Sequence, residues 1–436
     1  MKGKNMITRS FYYLLGTQTL SNIADIIYLM GLISLVFNST DSLMMTIFIP
    51  LFRFFSKSLS GLLAPLVLSR YRLPIILLVS QFGQFVLFAI LLVYLWMVPD
   101  EPSYPIIFFI VFGMSFLDGV TNPVRNALVP RLALGEGLMK ANGFISVSDH
   151  IVRCAGWALS GVIVVLIGSH STLTLALVSY FIAMIFTSFI KDPLDMKKEK
   201  KIQLDKVENV TKKDKSIEVK ESFWSDFSKG WKIIGHNRRI RTLTIIDTLD
   251  TIGGTAWIGV FVLAFIKQVL NRDESWLGLM NGSFFAGSIV GGLLVVALVK
   301  RLQKRSFIFM LIGFTVYILL AVFFAINTHP LLALVLMTLT GPPIEIAAVI
   351  RRTLFQQSID AIQLPKVLAA LEVVINLTFG VSLLMLGWFA DQFGMTNLYL
   401  FAAFLTSVAV VVGFFNRSMF SDTEMRKKPE ETSTTI

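Results

Sequence analysis

The sequence predicts an all-α membrane protein whose twelve transmembrane helices form two pseudo-symmetric six-helix bundles. The first observation behind this prediction is composition. The 436-residue chain is 55% hydrophobic and 15% charged, with a mean hydropathy of +0.71, whereas soluble domains carry roughly a quarter charged residues. The second is that the charges crowd into short gaps between long apolar runs, and the third is that basic residues recur in every second gap.

The apolar runs have the length that a membrane-spanning helix requires, which is about 20 residues. Strands are excluded because barrel segments alternate with period two over roughly ten residues. The runs cover residues 10–37, 43–69, 74–98, 103–126, 141–168 and 171–190, and then 241–270, 274–300, 306–327, 329–350, 366–390 and 396–416. We therefore expect an N-terminal bundle over residues 1–190 and a C-terminal bundle over residues 241–416.

The basic residues in alternate gaps predict the topology, since excess Lys and Arg hold loops on the cytoplasmic side. The basic gaps contain Lys2, Lys4 and Arg9; Arg70 and Arg72; Arg125, Arg131 and Lys140; Lys300 and Arg301; Arg351 and Arg352; and Arg417. Both termini of a multi-pass plasma-membrane protein are then cytoplasmic. The net charge of +11 follows from these loops, and no nucleic-acid partner is expected.

Residues 191–240 form a cytoplasmic linker between the two predicted bundles. Its last part, near residues 223–234, has aromatic residues at three- and four-residue spacing, which predicts an amphipathic helix. Such a helix either lies on the inner leaflet or packs under the second bundle. Residues 417–436 are polar and are predicted to be a cytoplasmic tail.

The two halves show signs of an internal duplication. Asp118 and Arg125 lie beside the loop after the fourth run, and Glu345 and Arg352 stand at the corresponding positions of the second half, at one shared offset. Asp250 in the seventh run lies near the position that duplicates Asp25 in the first. The repeat supports a protein built from two related six-helix halves.

The chain has no pattern typical of an enzyme. Its four histidines (His150, His170, His236 and His329) show no metal-ligand spacing, and no glycine-rich loop ends in Lys-Ser or Lys-Thr. We expect no cofactor, no metal and no nucleotide-driven pump. The energy for transport must then come from a gradient or a partner.

Ionisable residues inside the predicted spans are the candidates for a substrate and proton pathway. Asp25 lies in the first run, Arg53 in the second, and Asp247 with Asp250 in the seventh. Charges are costly in hydrocarbon and usually face the bundle interior or a water cavity. A buried carboxylate can bind and release protons near neutral pH. The alternative for the first pair is a static Asp25–Arg53 salt bridge.

A second charged layer is predicted towards the cytoplasmic ends of the helices. We interpret it as a cytoplasmic gate whose ion pairs change during a transport cycle, with permanent structural pairing as the alternative. Its members are Asp118, Arg125, Asp149, Arg153, Glu345, Arg352 and Glu372.

The junction of the fourth and fifth runs carries a family resemblance. The segment from Asn122 to Leu132, with Glu136, Ala141 and Asn142 following, resembles the major facilitator superfamily, in particular its bacterial drug-efflux branch with macrolide and siderophore exporters. The loop after the second run departs from the family pattern, because Pro65 replaces its usual aspartate. The resemblance implies alternating access around a site at the membrane midplane.

From these observations we expect a secondary transporter, a monomer in the lipid bilayer that exports amphipathic small molecules in exchange for protons. Two alternatives remain open. One is an uptake or lipid-flipping transporter of the same fold, and the other is a membrane scaffold or sensor that transports nothing.

Overall fold

The computed structural model describes residues 7–40, 43–68, 70–98, 102–195 and 223–420. Within these ranges the chain is helical, and its β-structure is one isolated bridge between Ile7 and Ala133. Most of the predicted linker, residues 196–222, and the tail from residue 421 onward lie outside the described residues.

The first half folds into five long helices. They are α1 (Arg9–Thr40), α2 (Leu43–Leu68), α3 (Leu73–Met97), α4 (Tyr104–Leu132) and α5 (Glu136–Ser188). Helix α5 is interrupted at Gly168, whose φ of 78° and ψ of 162° are not helical. Glycine has no Cβ and adopts positive φ readily, so the chain turns here, between the fifth and sixth predicted runs.

The second half begins with an amphipathic helix and repeats the pattern. Its helices are α6 (Phe223–His236), α7 (Arg238–Thr255), α8 (Gly259–Gln268), α9 (Ser275–Lys304), α10 (Ser306–Ile326), α11 (Pro330–Gln357) and α12 (Leu364–Phe415), followed by a 3₁₀ turn, Arg417–Phe420. Asn237 caps α7, because its side-chain oxygen accepts hydrogen bonds from the backbone N–H groups of Arg239 and Ile240. Helix α12 turns at Gly394, where φ is 82°.

Nine helices of the described residues are long and apolar enough to cross a membrane, and the bent pair α7–α8, with an angle of 43°, makes a tenth. The breaks at Gly168 and Gly394 divide α5 and α12 into two segments each. The helical segments of the described chain thereby reach the twelve predicted, and the all-α membrane fold is confirmed.

The described residues group into two compact units. Unit 1 contains the residues up to Gly137, then Ala155–Ile233 and Asp360–Val373. Unit 2 contains Leu138–Cys154, Ile234–Ile359 and the residues from Val374 onward. Unit 1 thus combines most of the first sequence half with α6 up to Ile233 and with the beginning of α12. Unit 2 combines most of the second half with one segment of α5, Leu138–Cys154. The prediction that the N-terminal bundle ends at residue 190 and the C-terminal bundle begins at residue 241 stays a prediction.

Each unit has its own apolar core. In unit 1, Tyr28, Phe88 and Tyr180 are buried and stack edge to face, with ring centroids 5.0 Å and 5.9 Å apart. In unit 2, the rings of Phe265 and Phe324 stack 4.6 Å apart. Aromatic pairs of this geometry stabilise a core beyond the area they bury.

Helix α6 occupies the place where the sequence predicts an amphipathic helix. Its Gly230 faces the backbone of α12, and a Cβ added there would lie 2.5 Å from the carbonyl oxygen of Lys366. Both residues belong to unit 1. Helix α6 therefore packs closely against the beginning of α12 at this glycine.

Helices α9 and α11 approach each other most closely at two glycines of unit 2. A Cβ on Gly287 would collide with the carbonyl group of Thr338, and one on Gly341 would collide with the backbone of Gly287. Small residues permit such close helix packing in membranes. Gly282, one and a half turns earlier on α9, has open space around it.

This difference predicts opposite effects for two identical substitutions in one helix. Gly287→Ala should lower the free energy of unfolding by about 1–3 kcal/mol, because the methyl group overpacks a backbone contact. Gly282→Ala should leave stability unchanged or raise it by up to about 1 kcal/mol, since alanine favours the helix. Thermal unfolding of both variants in detergent measures the difference, and equal melting temperatures would contradict the packing.

Candidate functional site

Asp25 and Arg53 meet in the interior of unit 1. Arg53 on α2 places Nη2 3.5 Å from Asp25 Oδ2 on α1, and their side chains are 13% and 25% exposed. Tyr180, from the second segment of α5, donates a short hydrogen bond to Asp25 Oδ1. The Arg53 guanidinium also lies over the Tyr28 ring, 5.4 Å from its centroid. Asp25 and Arg53, which the sequence predicts to lie inside the first and second membrane spans, are therefore neighbours.

A small polar cavity lies beside this pair. It has a volume of about 10 Å³ and is lined by Asp25, Tyr28, Arg53, Gln84, Met114, Ser115, Asp118 and Tyr180. Three of its buried atoms, Tyr28 Oη, Arg53 Nη1 and Gln84 Nε2, have no hydrogen-bond partner among the described residues. The size and the polar lining fit one water molecule. Such a water would give these three atoms a hydrogen-bond partner.

Asp118 forms its ion pair with a residue that sequence reasoning missed. Lys57 on α2 places Nζ 2.5 Å from Asp118 Oδ2, and Thr121 donates to Oδ1 at 2.9 Å. Gly119 explains the contact, because it lets α4 approach Ser60 of α2 so closely that a Cβ would collide there. Arg125, which the sequence placed two turns after Asp118 on the same helix, is buried. The signal that could have identified Lys57 is its position as a second cation inside the second apolar run.

Glu372 belongs to unit 1 although it lies on α12. Its Oε1 accepts a hydrogen bond from Asn122 Nδ2 of α4, at 3.4 Å. Nearby, Arg131 bonds the Asp192 carboxylate at 2.6 Å and the carbonyl of Ala361 at 2.8 Å. The end of α4 is thus connected by side chains to the segment that leads into α12.

In unit 2 one arginine binds both predicted aspartates. Arg351 of α11 places Nη2 2.9 Å from Asp247 Oδ1 and Nη1 2.6 Å from Asp250 Oδ2. The arginine side chain is 16% exposed, and its guanidinium lies over the Phe314 ring. The neighbouring Arg352 is exposed. Successive residues of a helix point about 100° apart, so only Arg351 faces α7.

Glu345 of α11 bonds two residues of α5 in unit 2. Ser146 donates a short hydrogen bond to Oε1, and His150 Nε2 lies 2.7 Å from Oε2. One turn before Ser146, the buried Asn142 donates to Thr353 at 2.9 Å and to Gln356 at 2.8 Å. These side chains connect the first segment of α5 with α11. The sequence singled out Glu345 but gave His150 no role, since its partner is 195 residues away.

Two further predicted gate residues, Asp149 and Arg153, lie on the first segment of α5. Asp149 is half-buried on α5, and Arg153 is exposed one turn later. Among the described residues, no group of three or more His, Cys, Asp and Glu side chains is placed to hold a metal ion.

The two adjacent arginines of α11 provide a matched test of the ion-pair cluster in unit 2. Arg351→Gln should destabilise the protein by up to about 3–5 kcal/mol, because it leaves two half-buried carboxylates, 22% and 16% exposed, without their cation. Arg352→Gln removes an exposed charge and should change stability by less than about 0.5 kcal/mol. Thermal unfolding in detergent separates the two, and an equal effect would show that Arg351 pairs weakly.

Comparisons with known proteins agree with this architecture. The sequence profile of the Major Facilitator Superfamily matches residues 13–249 and 248–434. The Uncharacterized MFS-type transporter YfmI of Bacillus subtilis (strain 168) is 27% identical over 408 residues, 94% of this chain and 96% of its own.

Two solved structures share the fold at low identity. The human organic anion transporter MFSD10 (TETRAN) has a TM-score of 0.72 at 12% identity, covering 93% of this chain and 99% of its own. The E. coli fucose:proton symporter FucP has a TM-score of 0.68 at 13% sequence identity. The match covers 93% of this chain and 98% of the FucP chain. With its helical spans and matched profile, the chain is a multi-span membrane transporter rather than an enzyme, and it belongs to the Major Facilitator Superfamily.

Proposed function

We propose that the protein exports amphipathic small molecules in exchange for protons by alternating access. The observation that carries the proposal is a carboxylate–arginine centre inside the membrane spans of each unit: Asp25 with Arg53 in unit 1, and Asp247 with Asp250 and Arg351 in unit 2. Ionisable groups at this depth mark substrate or ion pathways in membrane proteins. Secondary transport follows from membership of the family. The coupling to protons, the amphipathic substrates and the outward direction are what we propose.

Asp25 is the better candidate for the proton-binding residue of unit 1. Its ion pair with Arg53 is long, at 3.5 Å, and a quarter of its side chain is exposed. By contrast, Asp118 is held by Lys57 at 2.5 Å. Protonation of Asp25 would remove the negative charge that pairs with Arg53. The guanidinium of Arg53 would then be free to move to another hydrogen-bond acceptor. The proposal is supported by one structural neighbour of the same fold, which is named a fucose:proton symporter.

The gate in this proposal consists of the side chains that join residues of the two sequence halves. In unit 2 these are Asn142, Ser146 and His150 of α5, which bond to α11. In unit 1, Asn122 of α4 bonds to Glu372 of α12. Alternating access requires the two six-helix halves to move against each other, so these bonds would have to break in each cycle. We also propose cytoplasmic termini, from the basic gaps, and a monomer.

The proton role predicts a specific effect of two carboxylate substitutions. Cells that overexpress the protein are first screened for resistance to diverse compounds. Transport of any compound to which they become resistant is then measured in inverted vesicles. Asp25→Asn or Asp250→Asn should reduce the pH-dependent component at least about tenfold, since an amide cannot carry the proton. Asp273→Asn, in the exposed loop before α9, is the matched control. The proton role is wrong if both buried variants keep pH-dependent transport.

In that screen, resistance indicates export and sensitivity indicates uptake. A change in lipid distribution across the membrane, without compound transport, would favour lipid flipping. Each result distinguishes among export, uptake and lipid flipping, which the sequence analysis left open.

The gate predicts that a crosslink between the halves stops transport. In a Cys154→Ser background, a short bis-methanethiosulfonate reagent should join Asn142→Cys to Thr353→Cys. Asn142 Nδ2 lies 2.9 Å from Thr353 Oγ1, and the reagent spans the gap left when cysteine replaces the longer asparagine. Transport should then stop and return after reduction. Thr17→Cys with Thr187→Cys, whose hydroxyl oxygens are 2.7 Å apart within the first half, is the control and should leave transport intact. Full transport by the crosslinked Asn142–Thr353 variant would contradict this gate.

A further inference from the structure

An apolar groove runs between α3 and the end of α5 in unit 1. Its volume is about 450 Å³, and its lining is Leu78, Val79, Phe82, Phe181, Met184, Ile185 and Ser188. Both segments are membrane spans. Several lining side chains point away from the core, with Val79 61% and Phe82 55% exposed. The groove therefore opens towards the hydrocarbon of the bilayer.

The walls of this groove are fixed by contacts beneath it. Thr187 donates to the side-chain oxygen of Gln81 at 2.5 Å, and the rings of Phe85 and Phe181 lie 5.6 Å apart. Gln81 and Thr187 are both buried. The groove is thus preformed, and a ligand there would not have to separate the helices.

Exposed cations surround one end of the groove. Arg70 and Arg72 directly precede α3, and Arg72 is six residues before Leu78, about 9 Å along a helix. Lys191 follows the lining residue Ser188 by three positions, and its backbone N–H donates to Ser10 beside Arg9. All four cationic side chains are exposed.

The carboxylate closest in sequence to Lys191 does not balance this charge. Asp192 is buried, and its ion pair is with Arg131 at 2.6 Å. Even with the half-buried Asp195 counted, the four exposed cations outnumber the carboxylates of residues 188–195. The surface at this end of the groove is therefore positive, and it adjoins an apolar channel at the membrane boundary.

We propose that the α3–α5 groove is a binding site for an anionic phospholipid. One acyl chain occupies the groove, and the headgroup phosphate lies among Arg70, Arg72 and Lys191. The combination selects the ligand, because a free phosphate makes no use of an apolar channel, and a neutral lipid gains less from three cations. Basic residues near a membrane surface attract anionic lipids by about 1 kcal/mol each. The site is separate from the Asp25 centre and does not depend on the direction of transport.

The test is native mass spectrometry of the full-length protein in detergent, titrated with phosphatidylglycerol or with phosphatidylcholine of the same acyl chains. The wild type should retain phosphatidylglycerol more strongly. The triple variant Arg70→Gln, Arg72→Gln, Lys191→Gln should bind it at least about tenfold more weakly, while binding of phosphatidylcholine changes little. Val79→Trp, an exposed position that fills the groove, should weaken the binding of both lipids.

The matched control removes three exposed cations at the C-terminal end of α9 in unit 2: Arg301→Gln, Lys304→Gln and Arg305→Gln. This variant has the same net charge as the first triple variant and should keep the wild-type preference. The proposal is overturned if the wild type binds both lipids equally, if the first triple variant keeps the preference, or if the control loses it to the same extent. Such results would mean that lipid binds by general charge or only as a surrounding annulus.

Discussion

The cost of an unpaired charge inside a membrane span governs the polar interior of both units. A cation or carboxylate removed from water without a partner costs several kcal/mol, so buried ionisable groups occur where two helices bring opposite charges together. Arg53 faces Asp25, and Lys57 faces Asp118. Each pair depends on an approach of neighbouring helices, and Gly119 makes the second approach possible.

The two carboxylate–arginine centres differ in their charge balance. In unit 1 a single carboxylate, Asp25, faces Arg53, and the pair is neutral. In unit 2 Arg351 serves two carboxylates at 2.9 Å and 2.6 Å, which leaves one negative charge in excess. Neutralising that excess requires a proton or a cationic group, whereas protonating Asp25 creates an excess positive charge on Arg53. In the proposed cycle, the centre of unit 2 would take up a proton or a cationic group, and that of unit 1 would respond to a proton by moving its arginine.

The fold was predictable from the sequence because its determinants are local. Eleven of the twelve apolar runs correspond each to one helical segment, and the predicted run at residues 74–98 became α3, Leu73–Met97. The chain ends α5's first segment at Gly168, between two predicted runs. The bend between α7 and α8 was missed, because hydropathy remains high across residues 241–270 and does not record a break of 43°.

The site was only partly predictable, because pairing depends on helix phase and on distant partners. Asp25 and Arg53 could be matched since adjacent antiparallel helices place them at similar depth. No periodicity distinguishes Arg351 from Arg352, yet only the first faces α7. Nothing local connects His150 with Glu345, which are 195 residues apart. Pairs of this kind follow from the packing of whole helices, which the pattern of single runs does not contain.

The duplicated acids have diverged in what they bind, and this has a consequence for the proposed cycle. Asp118 bonds Lys57, a residue of its own sequence half, at 2.5 Å. Glu345, at the duplicate position, bonds Ser146 and His150, which come from the other half. A movement of one half against the other would leave the first pair intact and break the second. In the proposed cycle, Asp118 would then have a structural role within the first half, while Glu345 would lose its partners whenever the two halves move apart.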